Sequence, residues 1–182
     1  MKRRTYLRTT ALASASLGLM NSPLQGKWGK SLSIRLGGPA YGPFDDPGHW
    51  ARWHRENGYR AAQSPLKPGA SELEISAYRE AALKQDLVIA EVGAWSNPIS
   101  PHEDQARQAL DKCISSLQLA DELGARCCVN ISGSKNPEHW AGPHQDNMSD
   151  AVFDQVVEST RKIIDAVKPT RTHFTLEAMP WS

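Results

Sequence analysis

The sequence predicts an α/β fold, built as the N-terminal portion, about five strands, of a (β/α)8 barrel, on three observations. Strand-like and helix-like segments alternate at roughly thirty-residue spacing, which implies right-handed βαβ units and a parallel sheet. No G-x-G-x-x-G follows the first strand, and the first helix is preceded by Asp45-Asp46, which would repel a pyrophosphate, so a doubly wound dinucleotide fold is disfavoured. The last strand delivers a carboxylate, Glu177, to its C-terminal tip, where a parallel barrel keeps its chemistry. A complete barrel of this kind runs to roughly 250 residues. The chain has 182, so the domain at 31–182 is expected to be an incomplete, truncated barrel.

Each element has its own signal. Ser31 to Leu36 alternates and then meets Gly37-Gly38-Pro39, a strand entering a loop. Asp46-Pro47 opens a helix that Asn57-Gly58 ends. Tyr59 to Gln63 is a short second strand, and Ser71 with Glu74 forms a capping box for a helix reaching Gln85. Leu87 to Val92 is an apolar run broken only by Glu91, as expected of a strand covered on both faces. Ser100 with Glu103 repeats the box and opens a long helix that closes at Gly124, its apolar face being Leu110, Ile114, Leu117 and Ala120. Arg126 to Ile131 is the fourth strand, followed by a long loop from Ser132 to Met148. Ser149-Asp150 starts a helix with a Val152, Val156, Ile163, Val167 stripe, Pro169 ends it, and Thr172 to Glu177 is the fifth strand.

The net charge is +1, but Lys2, Arg3, Arg4 and Arg8 supply four positive charges at the start; without them the body stands at −3. A mildly acidic body lacks the basic stripe a phosphate-backbone binder needs, so no nucleic acid is implied as a partner. Lys2-Arg3-Arg4-Thr5-Tyr6-Leu7-Arg8 followed by the weakly apolar Thr9 to Met20 fits a twin-arginine export signal over residues 1–25, which predicts a periplasmic or extracytoplasmic location, or a cytoplasmic one if the motif is not used. The apolar segment is too short to span a bilayer as a helix. The three cysteines show no C-x-x-C spacing, and Cys127 and Cys128, adjacent on a strand, point to opposite faces and cannot readily share a metal.

Glu177 is the leading candidate for chemistry, because an apolar strand would not place an ionised group at its end without a partner. That partner is either a divalent cation or an arginine, Arg35 or Arg60, on a neighbouring strand. Glu91 poses the same question on the third strand, where a carboxylate hydrogen-bonded inside the barrel mouth is the plainer alternative. Trp95, Trp140 and Trp181 all follow strands, on the loops of one face, where aromatic walls commonly line a sugar pocket. His144 is held stiffly by Gly142-Pro143 and is a candidate to hydrogen-bond substrate, and Ser132-Gly133-Ser134-Lys135 lacks the spacing of a Walker phosphate loop.

Together Arg35-Leu36-Gly37-Gly38-Pro39, Glu91-Val92-Gly93-Ala94-Trp95-Ser96-Asn97-Pro98, Leu119 to Arg126, Asn130-Ile131-Ser132-Gly133 and Thr175-Leu176-Glu177-Ala178-Met179-Pro180-Trp181 resemble the xylose isomerase-like TIM barrels that include sugar phosphate isomerases and epimerases. The resemblance implies a small sugar or sugar phosphate as substrate and a divalent metal (Mn2+, Mg2+, Co2+ or Zn2+) held by four ligands: a Glu at the fifth strand tip, then Asp, His and Glu from later strands. Only Glu177 has a counterpart here, as metal ligand and as catalytic acid or base; the other three lie beyond Ser182. Glu91, Trp95 and His144 are then candidates to bind substrate. A non-catalytic sugar-binding barrel, or a metal-dependent lyase or dehydratase of the same superfamily, stays open, as does a homo-oligomer. The resemblance further implies that the 182 residues alone show no turnover and bind metal weakly.

Overall fold

The computed structural model describes residues 34–38 and 42–181. The export segment at 1–25 and the beginning of the strand expected from Ser31 lie outside the described residues. Five strands form one parallel sheet in the order β1-β2-β3-β4-β5: β1 Gly37–Gly38, β2 Ala61–Gln63, β3 Val88–Gly93, β4 Cys127–Ile131 and β5 Phe174–Glu177. Between them run α1 Pro47–Glu56, α2 Glu72–Lys84, α3 Glu103–Leu123 and α4 Asp150–Val167. Strand order equal to chain order, with each helix packed against the next, is the singly wound arrangement of a barrel; a doubly wound sheet reverses direction at a switch point.

Local chemistry accounts for most boundaries. Asp46 caps α1 by accepting the His49 backbone N–H at 2.7 Å, with Pro47 in the first turn. The Ser71–Glu74 box closes in both directions at the start of α2. Gly124 ends α3 in the left-handed conformation, φ 68°. Ser149 caps α4, whose last carbonyls are closed by Lys168 at φ 51°.

Two expectations need correction. Among the described residues the first strand is Gly37–Gly38, where a loop was expected, and not Ile34 to Leu36: the Leu36 carbonyl takes the Ala61 N–H as the first ladder bond, and Gly37 lies so close to Ala61 that a Cβ there would clash. The capping box at Ser100 does not form. His102 occupies the N-cap of α3 without a side-chain bond, while the Ser100 hydroxyl accepts from the His102 N–H and donates to Gln105. The His102 ring reaches Pro137 O at 3.1 Å, so the start of α3 is drawn across to the following loop.

The core lies between the sheet and the helices. Val92 and Cys128 are paired in register, as are Cys128 and Phe174, and all three belong to the cluster that includes Leu117, Leu119, Cys113 and Ile163. Because strand side chains alternate, their neighbours Glu91, Cys127, Val129, Thr175 and Glu177 stand on the helix-free face, which in a barrel is the interior. The register shift between Ala62 and Gln63 places an extra residue on β3, so that Ile89 and Val92 both pack in the core while Glu91 faces the other way. Among the described residues no helix is long and apolar enough to cross a membrane.

Candidate active site

The inner face carries a diagonal of polar groups: Glu91 beside Cys127 on one strand pair, Thr175 beside Val129, and Glu177 beside Ile131 at the C-terminal edge. Burial, and then the negative charge of Glu177, push the Glu91 carboxyl above its ordinary range. The two carboxylates therefore sense each other across the face. Burial is also the main cause that raises the Cys127 thiol, with the Glu91 charge adding to it and a Thr175 hydrogen bond opposing it. Cys128, on the core side, is pushed up to about 12, chiefly by burial. Both thiols stay protonated at neutral pH and are poor thiolate ligands.

Neither arginine considered as a partner for Glu177 takes that role. Arg35 and Arg60 both pair with Asp86, just before β3, at the N-terminal end of the sheet. Among the described residues no ion pair joins Glu91 or Glu177 to a cation. Nor do three histidine, cysteine or acidic side chains converge as a metal centre. Glu177 and Glu91 are two donors at most, which is too small a set for a divalent ion.

Trp95 joins this face. It sits at φ 38°, a left-handed conformation rare for a bulky residue. A Cβ at Gly93 would run into its indole; Gly93 is in register with Val129, so the ring covers the inner side of the sheet. Lys112 on α3 donates to the Trp95 carbonyl at 3.1 Å and steadies this turn.

Three loops are tied together above the strands. Asn97 Nδ2 donates to Ser134 O at 2.7 Å, and Asn97 Oδ1 accepts the N–H groups of Ser134 and Ile99. Asn147 Oδ1 accepts the Lys135 N–H, while its Nδ2 donates to Trp181 O at 2.9 Å and to Ser134 Oγ at 3.2 Å. The Trp181 indole N–H donates to Ala141 O. Trp181 is thus bound into the loop framework, and the Ser132 to Lys135 stretch is part of the same framework, with the Lys135 ammonium on Ile99 O. Asn97, Ser134 and Asn147 went unread as organisers in the sequence; the available signal was their place in strand-following loops rich in Gly and Pro.

His144 does not meet Glu177. It lines a separate cavity of about 580 Å³ with Lys135, Asp146 and Gln155, and its Nδ1 accepts the Asp146 backbone N–H at 3.3 Å at the head of the 3-10 turn Gln145–Met148. Glu177 lines a cavity of about 420 Å³ whose other wall, Val152, Phe153, Val156 and Leu176, is the apolar flank of α4 and the edge strand β5. The structure gathers Glu177, Glu91 and Trp95 on one face and sets His144 apart.

The sequence profile of the xylose isomerase-like TIM barrel family matches residues 51–182. The chain belongs to that family. By structure it is similar to the 3-keto-D-glucoside 4-epimerase of E. coli, with a TM-score of 0.61 and 15% identity over 81% of this chain and 57% of that one. It is also similar to the D-psicose 3-epimerase of Clostridium cellulolyticum, solved with D-tagatose, with a TM-score of 0.58 and 19% identity over 79% of this chain and 52% of that one. The chain spans about half the length of the solved structures it matches. No protein of curated function matches it by sequence. The five parallel strands correspond to the N-terminal part of such a barrel.

Proposed function

We propose that this chain carries the first part of a sugar isomerase or epimerase that moves a proton at the carbon next to a carbonyl, with Glu177 as the base. The observation that carries the reading is the pair Glu91 and Glu177, on the helix-free face and without a cationic partner among the described residues. Glu177 is exposed at the strand tip and so open to a substrate, which suits the role of proton acceptor. Glu91, driven toward its protonated form, suits hydrogen bonding to a sugar oxygen. Trp95 provides an apolar wall beside them.

A divalent ion would supply charge stabilisation to an enediolate oxygen. The described residues do not complete a site for one, so the proton-transfer roles above are derived from the side chains alone. The proposal that Glu177 also ligates Mn2+, Mg2+, Co2+ or Zn2+ rests on three further donors contributed from elsewhere. Reading the coding sequence past the codon for Ser182 tests it: Asp, His and Glu at the next three strand ends carry the reading, and a stop codon directly after Ser182 overturns it. We further propose export by the twin-arginine route; a folded reporter fused to the leader should lose export when Arg3 and Arg4 are both changed to Lys.

A further inference from the structure

We infer that the cleft between Trp95 and Trp140 is a second sugar subsite, and that the substrate is a disaccharide or glycoside whose second ring lies in it. The inference rests on the sugar reading above and narrows its substrate class.

The cleft has a volume of about 340 Å³ and is walled by Trp95, Trp140, Ser100, Gln105, Gln108 and Lys112. That falls within the roughly 300–1,000 Å³ of small-molecule sites. Its two indoles are 37% and 50% exposed. Among the described residues the Trp140 indole N–H has no partner, and the Gln108 amide is likewise unused; the Gln105 amide is engaged only through its oxygen. An aromatic face rimmed by free N–H and amide groups is the complement of a pyranose, whose C–H face is apolar and whose hydroxyls point outward.

Trp95 is held there at a cost. A left-handed conformation for a non-glycine residue costs on the order of 1–3 kcal/mol and persists where surrounding contacts enforce it. Here Lys112 pins the carbonyl and Gly93 leaves room for the ring. The arrangement lets one residue serve two places, lining the cleft and covering the inner face at Gly93. A ligand that passes Trp95 therefore spans both.

The test is titration of the full chain with D-glucose, cellobiose, maltose and D-glucose 6-phosphate, read by saturation-transfer NMR and by tryptophan fluorescence, with circular dichroism to confirm that each variant is folded. Cellobiose or maltose should bind at least about tenfold more tightly than D-glucose. Trp140→Ala should remove that advantage and Trp140→Phe should keep most of it. Equal affinity for glucose and the disaccharides with no response to Trp140→Ala, or tighter binding of D-glucose 6-phosphate, overturns the subsite. A Trp140→Ala change that weakens glucose as much as it weakens cellobiose and maltose also overturns it, while preserving the sugar reading. Failure of every saccharide to bind overturns both.

Discussion

The two ends of this sheet use the same residue type in opposite ways. At the N-terminal end, acids are consumed by structure: Asp86 is held by Arg35 and Arg60, and Asp121 Oδ1 accepts the Thr170 and Arg171 backbone N–H groups at 2.8 and 2.6 Å, fixing the approach to β5. At the C-terminal end, Glu91 and Glu177 have no such partners among the described residues, and the work of holding the loops falls to neutral amides, Asn97 and Asn147. A barrel can keep carboxylates open for chemistry at one end when uncharged hydrogen bonds carry much of the work of holding the loops around them.

The largest expected contrast is in turnover. On the proposed function, Glu177→Gln in the full-length protein should slow exchange of the carbon-bound proton with solvent deuterium by at least about 100-fold. Asp86→Asn should change it less than about twofold while costing about 1 kcal/mol of stability by urea denaturation, the worth of a partly exposed ion pair. Equal effects on turnover would erase the distinction between the ends.

Next in size is the loop framework. Asn147→Ala strips partners from Lys135 N–H, Ser134 Oγ and Trp181 O in a buried setting. It should cost about 3 kcal/mol in urea denaturation and raise hydrogen exchange across residues 132–149. An effect below about 0.5 kcal/mol would show that the amide does not organise the loops.

Asp121→Ala should cost about 1 kcal/mol, because its carboxylate remains largely solvated. Burial opposes ionisation of Asp121, but the N–H bonds from Arg171 and Thr170 and the Arg171 charge prevail and hold its carboxyl below the ordinary value. Its contribution is thus present above about pH 4 and lost as pH falls through the folded value, so the gap between variant and parent should close in acid.

The smallest effect is the coupling of the two glutamates. Carboxyl NMR should find Glu91 titrating above its ordinary range, and Glu177→Gln should lower it without restoring that range, since burial is the larger cause. Because the folded state holds the Glu91 proton more tightly than the unfolded one, stability falls as pH rises through this interval. Glu91→Gln should therefore gain on the parent above it and match the parent below. A Glu91 titration indifferent to Glu177 would separate the pair.

Much of this was legible from local chemistry. The Ser71–Glu74 box, the Asp46-Pro47 start and the Gly124 stop each involve residues three or four apart, so the chain carries both partners of the interaction in plain view. Ser100–Glu103 had the same spacing and failed, because His102 found Pro137 O, 35 residues away. The site divides the same way. Glu177 was visible as a carboxylate at the tip of an apolar strand, and Glu91 as the break in an apolar run. The bulge that turns Glu91 to the inner face and the strain at Trp95 depend on neighbours that only folding brings together, as does the separation of His144 from Glu177.

The sequence by itself determined the alternation of strands and helices and most of their caps, since periodicity and capping are set by residues within a turn or two of each other, and its motifs pointed to the family. Only the tertiary structure decided which acids are paired and which are free. That outcome depends on the register of strands tens of residues apart, where Arg35 and Arg60 are drawn to Asp86 and leave Glu177 without them.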